Sequence, residues 1–108
     1  MSVVGRGVVA RVLTPKITER EADIVSSEIG EAAQASGWRV AVDMTEVGFL
    51  ASAGIGALVN LHQQAKQGGG KMVVFGLNDQ LAQVLKISRL DKLFPIKPDL
   101  DAACKLIK

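Results

Sequence analysis

The amino-acid sequence predicts an α/β fold: a single domain over residues 1–108, with a mixed sheet of four or five strands and about four helices lying mainly on one face. Two observations carry this expectation. Short runs of β-branched and small apolar residues alternate with longer segments whose apolar residues recur at helical spacing. Such alternation implies parallel strands joined by right-handed crossovers. The chain also opens on two apolar runs around Gly5-Arg6-Gly7, which suits an antiparallel hairpin added to the parallel set.

The hairpin arms are residues 2–4 and 8–13. Thr14-Pro15-Lys16-Ile17 breaks the second arm, because proline removes a donor and restricts the residue before it. Thr18 has Glu21 three residues on, the capping-box spacing, so a helix starts there. Its buried face would be Ala22, Val25, Ile29, Ala32 and Ala33, and Ser36-Gly37 ends it. Trp38 to Met44, centred on Val40-Ala41-Val42, reads as the third strand. A helix from about Ala53 to Gln67 follows, with Ile55, Leu58, Val59, Leu61 and Ala65 at helical spacing and Gly68-Gly69-Gly70 as its stop.

Lys71 to Phe75 is the next strand, and after Gly76 either Asn78 or Asp79 caps a helix carrying Leu81, Val84 and Leu85. Ser88-Arg89-Leu90-Asp91 closes it. Leu93-Phe94-Pro95-Ile96 suits a short edge strand, where proline is tolerated. Asp99, after Pro98, caps a last helix through Leu100, Ala103, Cys104 and Ile107.

Composition narrows the function classes. Thirteen basic against eleven acidic residues give a formal charge of +2, too balanced to argue for nucleic acid. One Trp, three Phe and no Tyr leave few stacking platforms for bases. The lone cysteine, Cys104, excludes an intramolecular disulfide and reads as a packing residue. No apolar run of membrane-spanning length and no secretory leader are present, so a cytoplasmic protein without direct membrane insertion is expected.

Catalytic and cofactor motifs are incomplete. Gly70-Lys71 lacks the Ser or Thr and the upstream glycine of a phosphate loop, since Met72 and Ala65 stand there, and it runs from helix to strand. Gly54-x-Gly56 lacks the third glycine of a dinucleotide fingerprint, because Val59 occupies that place. His62 is the single histidine, so neither a metal cluster nor a His-dependent triad has a second member. Asp43 and Glu46 have no nucleophile or base beside them and read as strand-end and turn residues. The expectation is a binding module that uses no cofactor or metal, and not a hydrolase or nucleotide-binding enzyme.

The most informative stretch is 43–56, where a buried strand passes through a short loop into a helix. Ser52 stands just before that helix, where its hydroxyl can accept from a free N–H of the first turn. A plain cap and a regulatory serine are both open readings. They are physically compatible, since the helix N-terminus accommodates a phosphate without unfolding. Gly54 and Gly56 keep the first turn free of bulk, so another surface can approach.

Phe49-Leu50-Ala51-Ser52-Ala53-Gly54-Ile55-Gly56 resembles the phosphorylation loop of STAS domains, the anti-sigma factor antagonists, whose pattern is an apolar pair followed by Asp-Ser-Ser-Gly-Leu-Gly. The resemblance covers nearly the whole chain, including Gly69-Gly70-Lys71 before a strand and the late segment Lys86 to Ile96. It implies that Ser52 is the phosphorylated serine. It further implies an anti-sigma factor serine kinase as partner, which the unphosphorylated form binds, and a phosphatase that reverses the modification. The partner-binding residues it implies are Thr14, Ile17, Thr18, Phe49, Leu50, Ala51, Gly54 and Gly56. Ala51 and Ala53 depart from the pattern, as does Thr18, where the aligned loop often ends in Asp. These departures support a second reading, a STAS scaffold without a phosphoswitch in a signalling or lipid-transport assembly.

Overall fold

The computed structural model describes residues 2–4, 7–35 and 37–107. In chain order the elements are β1 (Ser2–Val4), β2 (Gly7–Arg11), β3 (Lys16–Ile17), α1 (Glu19–Ala35), β4 (Arg39–Asp43), β5 (Phe49–Leu50) and α2 (Ser52–Gln67). They continue with β6 (Lys71–Phe75), α3 (Asp79–Ile87), a 3-10 turn at Leu90–Lys92, β7 (Ile96–Lys97) and α4 (Leu100–Ile107). β1 pairs antiparallel with β2, and β2, β4, β6 and β7 pair in parallel, so the sheet order is β1-β2-β4-β6-β7. The mixed sheet, expected to have four or five strands, is present with five. The Gly5-Arg6 turn and Ser36 lie outside the described residues.

A parallel sheet covered on both faces has strands apolar on both sides, which is why β4 and β6 read as continuous apolar runs. Val8, Ala10, Val40, Val42, Met72 and Val74 pack under α1, α2 and α3, against Ile29, Leu58, Leu61 and Leu85. Val9, Ala41, Val73 and Phe75 point the other way and meet Ala103, Cys104 and Ile107 of α4. Three helices therefore share one face and α4 covers the other, in line with helices mainly on one side.

Capping follows the expected chemistry at several ends. The Asn78 side chain accepts from Leu81 N–H at 2.7 Å, so Asn78 and not Asp79 is the cap of α3. Asp99 does the same for Ala102 N–H at 2.9 Å. At the foot of α2, Gly69 turns left-handed (φ +78°); its N–H donates to Lys66 O and that of Gly70 to Ala65 O, the paired bonds of a Schellman stop.

Four boundaries differ from the sequence reading. β2 stops at Arg11, although Val12 N–H still donates to Asp43 O at 3.0 Å, and Leu13 swings out to 75% exposure. Trp38 precedes β4 in a left-handed conformation (φ 63°), donating from its N–H to Ala33 O as the chain leaves α1. The edge strand is Ile96–Lys97, not 93–96: Phe94 is drawn into the core, and the Pro95 carbonyl makes the first contact by accepting from Val74 N–H. The fourth difference is a separate two-stranded ladder, β3 with β5, which positions the candidate site.

Candidate functional site

The site lies at the carboxyl end of β4. Asp43, the last residue of that strand, is 4% exposed and is the buried charged residue of the described chain. Its Oδ1 accepts from Thr45 N–H at 3.0 Å and from Thr45 Oγ1 at 2.7 Å, and its Oδ2 from Arg11 Nε at 3.0 Å. Burial alone would raise the carboxyl's pKa. The Thr45 bonds and the Arg11 guanidinium outweigh it and hold the pKa below the ordinary value. This carboxylate fixes the turn from which the loop departs, the turn role expected of it.

The loop is then tied to the segment after β2. Pro15 O accepts from Gly48 N–H at 2.8 Å and Phe49 N–H at 3.2 Å, Lys16 pairs with Phe49 and Ile17 with Leu50. Ala51 N–H donates to Ile17 O at 2.9 Å, adding one more rung. That rung keeps Ala51 extended (φ −77°, ψ 170°) while its carbonyl accepts the first helical bond, from Ile55 N–H at 3.1 Å. Ala51 is therefore the N-cap of α2, and it supplies no side-chain bond. Ser52, expected as the cap, is instead the first helical residue. It is exposed, and its hydroxyl makes no hydrogen bond to the described protein.

The remaining residues expected at this surface divide into two groups. Phe49 (50% exposed) and Gly56 face solvent, while Thr14, Thr18 and Ala51 are half-buried. Ile17, Leu50 and Gly54 do not face outward: alternation along the two-residue ladder turns Ile17 and Leu50 into the core. A Cβ at Gly54 would come within 2.5 Å of Leu50 Cδ1 and 3.1 Å of Ile17 O. The missing side chain thus seats α2 on the ladder and opens no room for a partner. Gly56, by contrast, has open space where a side chain would go.

Thr18 holds its place as N-cap of α1, its carbonyl accepting from Ala22 N–H at 2.8 Å and its hydroxyl donating to Glu21 Oε2 at 2.6 Å. Sequence reasoning missed what α1 contributes. Glu19 and Asp23 line an open groove of about 350 Å³ whose other wall is Ala53, Gly56 and Asn60, so carboxylates flank the first turns of α2. It also missed Lys16, exposed beside Phe49 on the neighbouring strand, and the exposed Leu13 three residues before it. The alternation Lys16-out, Ile17-in mirrors Phe49-out, Leu50-in, a signal only two residues long.

A family model described as STAS domain matches residues 7–103. The chain belongs to the STAS domain family. Among its relatives is the anti-sigma-B factor antagonist of Listeria monocytogenes, 34% identical over 56 residues, which are 52% of this chain and 49% of that protein. The matched part thus spans about half of the Listeria relative's length. The anti-sigma F factor antagonist of Paenibacillus polymyxa is 27% identical over 92 residues, 84% of this chain and 79% of that protein. The STAS fold is seen again in a proposed anti-sigma factor antagonist from Thermotoga maritima (TM-score 0.83, 18% identity, 98% of this chain and 91% of that one). A STAS domain protein of Planctomyces limnophilus superposes with a TM-score of 0.75 at 22% identity, over 87% of this chain and 81% of that one. No described helix of this STAS domain is long and apolar enough to cross a membrane.

Proposed function

We propose that this STAS domain is an anti-sigma factor antagonist. In this reading its surface around Ser52 binds an anti-sigma factor that is also a serine kinase, and phosphorylation of Ser52 by that kinase ends the complex. A phosphatase restores the binding form. Thr14, Thr18, Phe49, Ala51, Ser52 and Gly56 form the docking surface, and Ile17, Leu50 and Gly54 support it from below.

The observation that supports this reading best is the state of Ser52: an exposed hydroxyl, uncommitted to any protein hydrogen bond, on the first residue of a helix. A hydroxyl that capped the helix would have one lone pair engaged by a backbone N–H and be a weaker nucleophile. The phosphoryl group comes from the kinase's nucleotide and the hydroxyl proton leaves to the kinase's base, so the antagonist supplies only a presented serine. Once formed, the phosphoserine carries about −1.5 to −2 charges and faces free N–H groups and the positive end of α2. The fold tolerates it, while an apolar or acidic partner surface does not. Mass spectrometry after incubation with the cognate kinase and ATP tests the assignment. Phosphate on Ser52 is expected; phosphate found only elsewhere leaves the scaffold reading in its place.

A further inference from the structure

A second site lies at the opposite end of α2. His62 and Lys66, one turn apart on that helix, face Lys71 and Met72 at the start of β6 and Leu93 and Pro95 ahead of β7, enclosing a pocket of about 180 Å³. Buried Met72 and Ala65 give it an apolar lining, and behind the pocket the His62 ring lies 5.6 Å from that of buried Phe94, tilted at 50°. Leu93, 49% exposed, adds an apolar rim. Among the described residues no carboxylate lines the pocket, and neither the Lys66 nor the Lys71 ammonium is hydrogen-bonded or ion-paired.

This arrangement is electrostatically lopsided. Two lysines and a histidine line one small cavity, in a chain whose total charge is only +2. Burial, with the Lys66 charge beside it, holds the His62 imidazole below its ordinary pKa, so Lys66 already disfavours a charge on its neighbour. An anion in the pocket would relieve that repulsion. The apolar lining and rim reward a body that inorganic anions lack. Size sets a limit as well: a dry cavity of about 150 Å³ is known to hold benzene in another protein, so one aromatic ring or a chain of similar bulk fits.

We infer that this pocket binds a small organic carboxylate, its apolar body on Met72, Leu93 and Pro95 and its charge between Lys66 and Lys71. The site is independent of the Ser52 reading. Ten residues of helix, about 15 Å at 1.5 Å per residue, separate His62 from Ser52.

Benzoate is the probe, followed by two-dimensional NMR on the intact chain, with benzyl alcohol and inorganic phosphate as controls. Saturable shifts at His62, Lys66 and Gly70 to Met72 are expected, with an affinity on the order of 1 mM for so few ligand atoms. Benzyl alcohol keeps the ring and loses the charge; phosphate keeps the charge and loses the ring. Both should bind more weakly than benzoate. Lys66→Gln and Lys71→Gln should each weaken benzoate about two- to fivefold, the range of single exposed ion pairs. Both substitutions sit on the surface and leave the core untouched. Equal affinity for the alcohol or for phosphate, shifts confined to other parts of the molecule, no saturation, or indifference to both substitutions would each overturn the site.

Discussion

Arg11 and Asp43 are cross-strand partners in register at the ends of β2 and β4, and the Arg11 Nε donates to Asp43 Oδ2 at 3.0 Å. Arg11 stays 62% exposed on its side chain while Asp43 is almost fully buried, so the pair reaches from solvent to the root of the Ser52 loop. Asp43→Ala removes the acceptor for three bonds and should cost about 2–3 kcal/mol in chemical denaturation, in the range of hydrogen bonds to a charged group. The pH dependence has a definite sign. Because the folded-state pKa is lowered, the carboxylate's contribution is present above the unfolded value near 3.9 and lost as pH falls through the lower folded value. The stability difference between wild type and Asp43→Asn should therefore shrink below about pH 4.

Gly54 and Gly56 should respond oppositely to alanine. At Gly54 the new methyl strikes Leu50 and the Ile17 carbonyl, so Gly54→Ala should lose about 1–3 kcal/mol, the usual cost of overpacking. At Gly56 the methyl meets open space within a helix, and Gly56→Ala should gain about 0.5–1 kcal/mol. Thermal melts of the two variants separate these outcomes. Equal effects would contradict the seating role assigned to Gly54.

Ala51 occupies a cap position with cap geometry and no capping group. Ala51→Asp should stabilise the chain by about 1 kcal/mol, a rise in Tm of roughly 4–8 °C for a domain of this size. The same substitution places a carboxylate beside the serine, as in the pattern that the loop resembles. Under the proposed function it should also raise the rate of Ser52 phosphorylation. A lower or unchanged rate with the added stability present would separate the two effects and count against the second.

Ser52→Asp and Ser52→Ala should differ in binding far more than in stability. An acid at the first helical position gains about 0.3–1 kcal/mol from the dipole, so Ser52→Asp should melt no lower than wild type. Under the proposed function it should bind the kinase weakly, whereas Ser52→Ala should bind and resist release. Calorimetric titration of both variants against the kinase decides this. Equal affinities would remove the switch.

The parallel strands β4 and β6 were legible because burial on both faces demands unbroken β-branched and apolar runs, and Val40–Val42 and Met72–Val74 supply them. The Asn78 and Asp99 caps were legible because each is a local event spanning three residues. The β3–β5 ladder was not. It joins backbone groups over thirty residues apart in sequence through two residues per strand, too short to display a period. That ladder decides where extended chain ends and helix begins, and so the cap fell on Ala51 and not Ser52. It also decides which expected surface residues turn inward: Ile17 and Leu50 read as available apolar groups until the pairing gives each strand an inside.

The unequal cover of the sheet has a consequence for how the molecule opens. Its second face is shielded by one helix of eight residues, whose Cys104 sulfur is enclosed against the sheet. Lifting α4 would uncover Val9, Ala41, Val73 and Phe75 together while leaving the three-helix side intact, so this detachment is a partial opening that needs no global unfolding. A thiol reagent can reach Cys104 only during such excursions. Its labelling rate therefore acts as a clock for one hinge-like breathing motion, readable in a population that is otherwise native.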